Sequence, residues 1–218
     1  MKRPKAEARR SKAEDRTLRP STLDLRPPPL ILASASPRRR QLLAEHGYDF
    51  TVAPADVAEV APAHFTPREV ALWNARLKAR AVAREQPGAI VLGVDTLVAF
   101  GGRIFGKPRD LDEAFAMVSE LNGRAHEVFS GVCLLRAATG EERTFAEVTR
   151  VHFRTLTPPQ IRAYLARIGP LDKAGAYAAQ EDRGEIIARV EGSFTNVIGL
   201  PMESLAEHLR AFALRHFF

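Results

Sequence analysis

Cysteine is nearly absent from this chain of 218 residues, which holds a single one, Cys133, and therefore no internal disulfide. A continuous apolar run of the roughly 20 residues that cross a membrane is missing as well. The amino-terminal stretch is polar from Lys2 to Arg26 and contains no apolar core of a secretory signal. These absences predict a cytoplasmic protein without a membrane partner, in which Cys133 is a small core residue.

Several motifs of nucleotide-binding and hydrolytic enzymes are also missing. The sequence has no Walker A motif, no G-x-G-x-x-G and no G-x-S-x-G. Its six histidines are scattered without the spacing of metal ligands. The P-loop, dinucleotide-binding and serine-hydrolase interpretations are therefore excluded.

Lysine is scarce, since the chain has only six lysines, three of them within the first 12 residues. The rest of the chain keeps Lys78, Lys107 and Lys173 among many arginines. Such a distribution indicates that lysine is retained where a compact, flexible ammonium is needed, although chance placement is the alternative. For Lys78, at the border of a buried helix stripe, a phosphate contact competes with an ammonium that merely reaches solvent.

The net charge of +6 is concentrated in residues 1–29, which hold nine basic and four acidic residues. This segment is rich in proline, arginine and alanine, a composition typical of a disordered, extended chain. We predict a disordered basic tail over 1–29, which touches nucleic acid weakly at most and by charge alone. A single continuous domain, with lobes around a cleft, is expected over 30–218.

Strand-like and helix-like segments alternate along this domain, which predicts an α/β fold. Strands are expected at 30–33, 49–53, 89–94, 126–136 and 143–154, with a hairpin at 97–105 and short strands at 185–190 and 196–198. Helices are expected between Pro37 and Gly47, at 66–84, 111–122 and 157–167, and after Pro201. Residues 169–184 are predicted to be irregular.

The turn between the first strand and the first helix offers a candidate phosphate site. Residues 34–40 read Ser-Ala-Ser-Pro-Arg-Arg-Arg directly after an apolar run. Ser36 suits the N-cap and Pro37 the first helical turn, so free N–H groups and a positive dipole end are available to an anion. Guanidinium groups add charge that matches phosphate oxygens. An ordinary turn with solvated arginines is the alternative.

Asp95 directly follows a buried apolar strand. A carboxylate at the carboxyl end of such a strand lies at the usual ligand crevice of an α/β sheet. There it is able to hold a divalent cation or to take a proton from water, whereas a simple turn aspartate is the alternative. Lys107, between Gly106 and Pro108, is a candidate phosphate ligand in a loop whose backbone can approach a ligand closely.

The segment 170–180 surrounds Lys173 with small residues. Tyr177 and Gln180 are able to face a planar ligand from it. A glutamine supplies a donor and an acceptor together, which suits the edge of a nucleobase.

Together these segments resemble the Maf family of nucleoside triphosphate pyrophosphatases, in order and spacing, over about residues 30–210. The matching motifs are the Ser-Ala-Ser-Pro-Arg-Arg segment at Ser34, Glu59, Lys78, Gly93–Thr96, Gly106–Pro108, Leu121–Arg124, Ser130-Gly131, Asp172–Tyr177, Gln180, Glu191–Ser193 and Asn196–Pro201. The resemblance implies an elongated α/β fold with a mixed sheet and a central cleft, similar to the inosine triphosphatase fold. It implies cleavage of a nucleoside triphosphate to the monophosphate and pyrophosphate with a divalent metal, Mg²⁺ or Mn²⁺.

The resemblance also assigns roles. Asp95 is expected to be the catalytic general base and, with Glu59, to bind the metal. The substrate ligands are expected to be Ser34, Arg38, Lys78, Lys107 and Lys173. The residues Arg38, Thr96 and Gln180 match the trio associated with hydrolysis of dTTP and UTP.

Some residues depart from the family pattern. Ala178-Ala179 replaces the usual Gly-Ile, and Glu181–Arg183 replaces a more glycine-rich run. A homodimer is expected from the family. Its name derives from septum formation, so the alternative is a cell-division regulator that binds nucleotide, nucleic acid or a partner without turnover.

Overall fold

The computed structural model describes residues 28–214, so the predicted tail lies outside the described residues except for Pro28 and Pro29. The strands are β1 (Leu30–Leu32), β2 (Phe50–Val52), β3 (Ile90–Phe100), β4 (Arg103–Phe105), β5 (Ala125–Arg136), β6 (Glu141–Phe153) and β7 (Ile187–Glu191). The helices are α1 (Pro37–Glu45), α2 (Pro67–Glu85), α3 (Leu111–Leu121), α4 (Pro158–Ile168), α5 (Phe194–Ile198) and α6 (Met202–Leu214). Three short 3₁₀ turns lie at Pro170–Asp172, Ala174–Ala176 and Ala179–Glu181.

The strands form one mixed sheet in the order β2-β1-β3-β5-β6-β7, and β4 pairs with the end of β3. Strand β1 runs parallel to both β2 and β3, whereas the pairs from β3 to β7 are antiparallel. The predicted α/β class with a mixed sheet is therefore confirmed. Between residues 28 and 214 no helix combines the length and apolar character that crossing a bilayer requires.

Helix α2 lies unusually close to the centre of the sheet because the strands beneath it present glycine. A Cβ atom added to Gly93 would lie 2.1 Å from the Ala75 carbonyl oxygen, and one on Gly131 would lie 2.2 Å from that of Ala71. Any larger residue at either position would push the helix away. This close packing brings the middle of α2 next to Asp95.

Asp95 does not end its strand, as the sequence predicted, but lies in the middle of β3. The separate predicted strands at 89–94 and 97–100 form one continuous strand, because antiparallel β5 pairs with it from Val91 to Ala99. The cleft still opens at Asp95, because the parallel neighbour β1 stops early. Its last pair joins Leu32 to Leu92, after which the chain turns away.

The predicted short strand at 196–198 is wrong, because these residues belong to helix α5. Ser193 caps this helix, its Oγ accepting a hydrogen bond at 3.1 Å from the Asn196 backbone N–H. The Asn196 side chain is buried and donates to the Val128 carbonyl oxygen at 3.1 Å. The local cap and this buried amide outweigh the preference of Val197 and Ile198 for a strand.

Candidate active site

The predicted site residues share one cleft of about 570 Å³. Its walls come from the turn after β1, the middle of β3, the loop between β2 and α2, helix α2 and the segment 172–180. The residues that the sequence predicted and that line this cleft are Ser34, Arg38, Glu59, Lys78, Asp95, Thr96, Lys107, Lys173 and Gln180. Side chains far apart in the sequence are thus brought together around one cavity.

A lysine lies between two carboxylates on one wall of this cleft. The Lys78 Nζ is 2.7 Å from Asp95 Oδ1 and 2.6 Å from Glu59 Oε1. It also donates to the Val94 carbonyl oxygen at 3.4 Å. We call Glu59, Lys78 and Asp95 the carboxylate cluster; it carries two negative charges against one positive charge.

The two carboxylates of this cluster differ in exposure. Asp95 is 6% exposed, whereas the side chain of Glu59 is 55% exposed on the loop between β2 and α2. Partial burial raises the pKa of Glu59, but the hydrogen bond and charge of Lys78, with the charges of Lys107 and Arg39, hold it below its usual value. Glu59 is therefore ionised at neutral pH and available to a cation.

Asn74 joins this cluster from one turn earlier on α2. Its Nδ2 donates to Asp95 Oδ2 at 3.3 Å and to the Val60 carbonyl oxygen at 3.0 Å. Its Oδ1 accepts from the Val60 backbone N–H at 2.9 Å. The sequence predicted no role for Asn74, since nothing in the local pattern around it distinguishes a buried amide.

Arg39 is a second residue that the sequence analysis did not separate from its neighbours. It is only 9% exposed, and its guanidinium donates to Ser34 Oγ at 2.9 Å and to Thr96 Oγ1 at 3.0 Å. It also donates to the carbonyl oxygens of Val94 at 3.0 Å and Gly199 at 2.9 Å. Burial lowers the pKa of Arg39 to about 10 despite the opposing charge of Asp95, so it stays charged at neutral pH. The signal that was available is helical spacing, because Arg39 shares the buried face of α1 with Leu42 and Leu43.

Arg38 points to the opposite wall of the cleft. Its NH1 lies 2.9 Å from Asp172 Oδ2, and its NH2 donates to the Asp172 carbonyl oxygen at 3.3 Å. Burial raises the pKa of Asp172, but hydrogen bonds from Lys173 and Arg38 outweigh this effect and lower it below the usual value. The pair therefore spans the cleft as an ion pair at neutral pH.

Lys173 lies beside this pair, and its ammonium is bound by groups of the protein itself. The Nζ donates to the carbonyl oxygens of Ile168 and Gly169 at 3.1 and 2.9 Å and to Asp172 Oδ1 at 2.6 Å. These groups occupy all three of its donors. In this arrangement Lys173 caps the carboxyl end of α4 and orients Asp172.

Lys107 and Gln180 line the cleft with exposed side chains. Within residues 28–214 neither forms a side-chain hydrogen bond or an ion pair, so both are available to a ligand. The Gly106 carbonyl oxygen accepts from the Gly175 N–H at 3.0 Å, which ties the Lys107 loop to the segment that carries Gln180.

Glu59 and Asp95 are the residues of the carboxylate cluster that would hold a divalent metal. In the described part of the chain, three or more acidic, histidine or cysteine side chains are nowhere grouped closely enough to enclose a metal. Glu59 and Asp95 supply two carboxylates, and Mg²⁺ commonly binds through one or two carboxylates together with phosphate oxygens and water.

Known proteins resemble this chain over most of its length. A "dTTP/UTP pyrophosphatase" of Moorella thermoacetica is 45% identical over 85% of this chain and 95% of its own. A protein of the same name from Myxococcus xanthus is 49% identical over 79% of this chain and 87% of its own. Among solved structures, a HAM1 protein from Coxiella burnetii matches 58% of this chain and 73% of its own at 15% identity, with a TM-score of 0.38.

The family model described as Maf-like protein matches residues 29–212, which include every residue that lines the cleft. The chain belongs to the Maf family.

Proposed function

We propose that this protein is an enzyme that hydrolyses dTTP and UTP to the nucleoside monophosphate and pyrophosphate. The observation that carries this proposal is the carboxylate cluster. It shares its cleft with Lys107 and Gln180, whose side chains have no hydrogen bond or ion pair within residues 28–214. The names of relatives at 45% and 49% identity support the same activity and substrates.

In the proposed reaction, a water oxygen attacks the α-phosphorus and the bond from that phosphorus to the bridging β-oxygen breaks. We assign Asp95 as the base that accepts the water proton. Its carboxylate is held by the Lys78 Nζ at 2.7 Å and by the Asn74 amide at 3.3 Å, so it is oriented before substrate arrives. The pyrophosphate leaves with the electrons of the broken bond.

Cations around the cleft would stabilise the charge that develops on the phosphates. The Lys107 side chain is available to contact the triphosphate. Arg38 would contact a phosphate by giving up its ion pair with Asp172. The turn at Ser34 lies before the amino terminus of α1, where backbone N–H groups favour an anion. Lys173 would act on the site indirectly, by orienting Asp172, because its own three donors are occupied.

We further propose that Glu59 and Asp95 hold a divalent metal, Mg²⁺ or Mn²⁺. Such an ion supplies charge neutralisation on phosphate oxygens. The side chain of Glu59 is 55% exposed in the cleft, and an ionised carboxylate is the form that binds a cation.

The base preference is assigned to Arg38, Thr96 and Gln180. Gln180 is exposed in the cleft, where its amide is able to donate to and accept from the edge of a uracil or thymine ring. Thr96 is held in place by Arg39 at 3.0 Å and by Ser130 at 2.8 Å.

Product analysis on a panel of nucleoside triphosphates with Mg²⁺ or Mn²⁺ tests the proposal. The panel contains dTTP, UTP, CTP, GTP and 7-methyl-GTP. Release of pyrophosphate, strongest with dTTP and UTP, is the expected result. Orthophosphate as the only product contradicts the reaction, another preferred base contradicts the specificity, and no turnover favours a regulatory protein that only binds.

A further inference from the structure

The loop that carries Glu59 packs against the core through Ala55 and Phe65, near its two ends, and forms few hydrogen bonds to the rest of the protein. It runs over residues 53–66, between β2 and α2, without regular secondary structure. At its start, the Ala53 N–H donates to the Leu32 carbonyl oxygen at 3.1 Å. At its end, Thr66 caps α2. We call these residues the Glu59 loop.

Between these ends, two side chains of α2 bind the loop. Within residues 28–214 they supply its hydrogen bonds and ion pairs to the rest of the protein. Lys78 reaches the Glu59 carboxylate, and Asn74 reaches the backbone of the next residue, Val60. The contact from Lys78 depends on charge and engages an exposed side chain. The Asn74 contact fixes the path of the backbone itself.

Asn74 is 3% exposed and uses its amide fully in this contact. Its oxygen accepts from the Val60 N–H, and its two N–H groups divide between the Val60 carbonyl oxygen and Asp95 Oδ2. An aspartate at this position could not donate, and a leucine could neither donate nor accept. An amide is therefore required to join the loop backbone and the Asp95 carboxylate at once.

We propose that Asn74 is a positioning residue that sets the separation of Glu59 from Asp95. This inference rests on the proposed function and adds to it a residue that acts through the Glu59 loop and Asp95. Asn74 binds Val60 and Asp95 with one rigid amide group. The backbone beside Glu59 is therefore fixed relative to Asp95, and the Glu59 carboxylate lies within reach of Lys78. Without Asn74, the loop keeps the packing of Ala55 and Phe65 at its two ends but loses the hydrogen bonds that hold its backbone at Val60.

The test compares Asn74→Leu with a matched control, Asn122→Leu. Asn122 clamps the backbone of Leu156 in the same way, donating to its carbonyl oxygen at 2.9 Å and accepting from its N–H at 2.8 Å. It does not line the cleft. Both variants lose a two-point clamp, but only Asn74→Leu changes the surroundings of Asp95 and Glu59.

We expect kcat for dTTP to fall about 10- to 100-fold in Asn74→Leu, as for other residues that orient ligands, with KM changed less than about threefold. In Asn122→Leu both constants should stay near those of the wild type. Hydrogen exchange, read by mass spectrometry on the substrate-free protein, should become faster over 54–65 in Asn74→Leu only. If Asn74→Leu does not fold, Asn74→Ala replaces it, since it removes the same hydrogen bonds without adding bulk.

An unchanged kcat, or equal losses in the two variants, overturns the positioning role. Unchanged exchange over the Glu59 loop overturns it as well, even where kcat falls. A wild type that releases no pyrophosphate overturns the proposed function and the role of Asn74 with it. An active wild type beside an unaffected Asn74→Leu overturns only the latter.

Discussion

Two lysines of the cleft, Lys78 and Lys173, expose little of their side chains but have different partners, and we expect different roles for them. The side chains of Lys78 and Lys173 are 12% and 8% exposed, so burial does not distinguish them. Lys173 binds two carbonyl oxygens at the end of α4, which cannot leave without unwinding the helix. Lys78 binds two carboxylates, one of which, Glu59, is exposed and able to turn toward another cation. From this comparison we expect the partner, and not the burial, to separate a lysine that acts on the substrate from one that stabilises the fold.

The largest loss of activity is expected when the buried carboxylate that Lys78 contacts, that of Asp95, is removed. Asp95→Asn keeps the shape of the side chain but can no longer take a proton, so we expect a loss in kcat of about 10²- to 10⁴-fold. Pyrophosphate release from dTTP measures the effect, and circular dichroism checks the fold. If the variant keeps more than a tenth of the activity, Asp95 is not the base.

Replacing each lysine by methionine tests the comparison directly. Lys78→Met should lower kcat about 100-fold, because the charge beside Asp95 and the phosphates is lost. Lys173→Met should instead lower the free energy of unfolding by about 1 to 3 kcal/mol, since the carbonyl oxygens of Ile168 and Gly169 lose their donor. Its kcat should change by less than about tenfold.

Pyrophosphate assays and denaturant titrations of both variants separate the two effects. A loss of kcat in Lys173→Met as large as in Lys78→Met would mean that both lysines act on the substrate. Such a result would remove the distinction based on their partners.

Gln180→Ala tests the wall of the cleft that carries Lys173, to which we assign recognition of the nucleobase. Loss of a hydrogen-bonding amide should reduce the preference for UTP over CTP about 3- to 10-fold, with the preferred rate less affected. The ratio of kcat/KM for the two substrates measures it. An unchanged ratio assigns the choice of base to other groups.

Acid should destabilise the wall of the cleft that carries Lys173. His126 contacts Tyr177 Oη at 3.0 Å beneath that wall, and burial, with the charge of His152, lowers its pKa from 6.5 to about 3. Between these values the unfolded chain binds a proton on this histidine that the folded protein does not. The free energy of unfolding should therefore fall by up to about 1.4 kcal/mol for each pH unit below 6.5.

Glu59 does not contribute in the upper part of this range. Its lowered pKa provides stability that is present above its usual value and lost only at lower pH. Denaturant titrations of the wild type and His126→Phe between pH 7 and 5 should show a shallower slope in the variant. Equal slopes contradict this account of His126.

Local patterns predicted the elements of the site better than its internal contacts. The turn at Ser34 and the apolar strand before Asp95 are signals within a few residues, and both lead to the cleft. The role of Asn74 depends on Val60, on a loop without a sequence signature. The partners of Lys173 depend on Gly169, whose positive φ of 58° turns the chain back at the end of α4. Contacts made through such turns arise from tertiary structure and could not be inferred from spacing.

The glycines beneath α2 also protect the chemistry from an error in strand pairing. Consecutive residues of a strand face opposite sides, so Asp95 faces α2 with Gly93, while Thr96 faces Arg39. A slip of β3 by one residue would exchange the base and the specificity residue. The same slip would drive a larger side chain into the space that Gly93 leaves for α2. The tight contact with α2 thus favours the register in which Asp95 faces α2 and Thr96 faces Arg39.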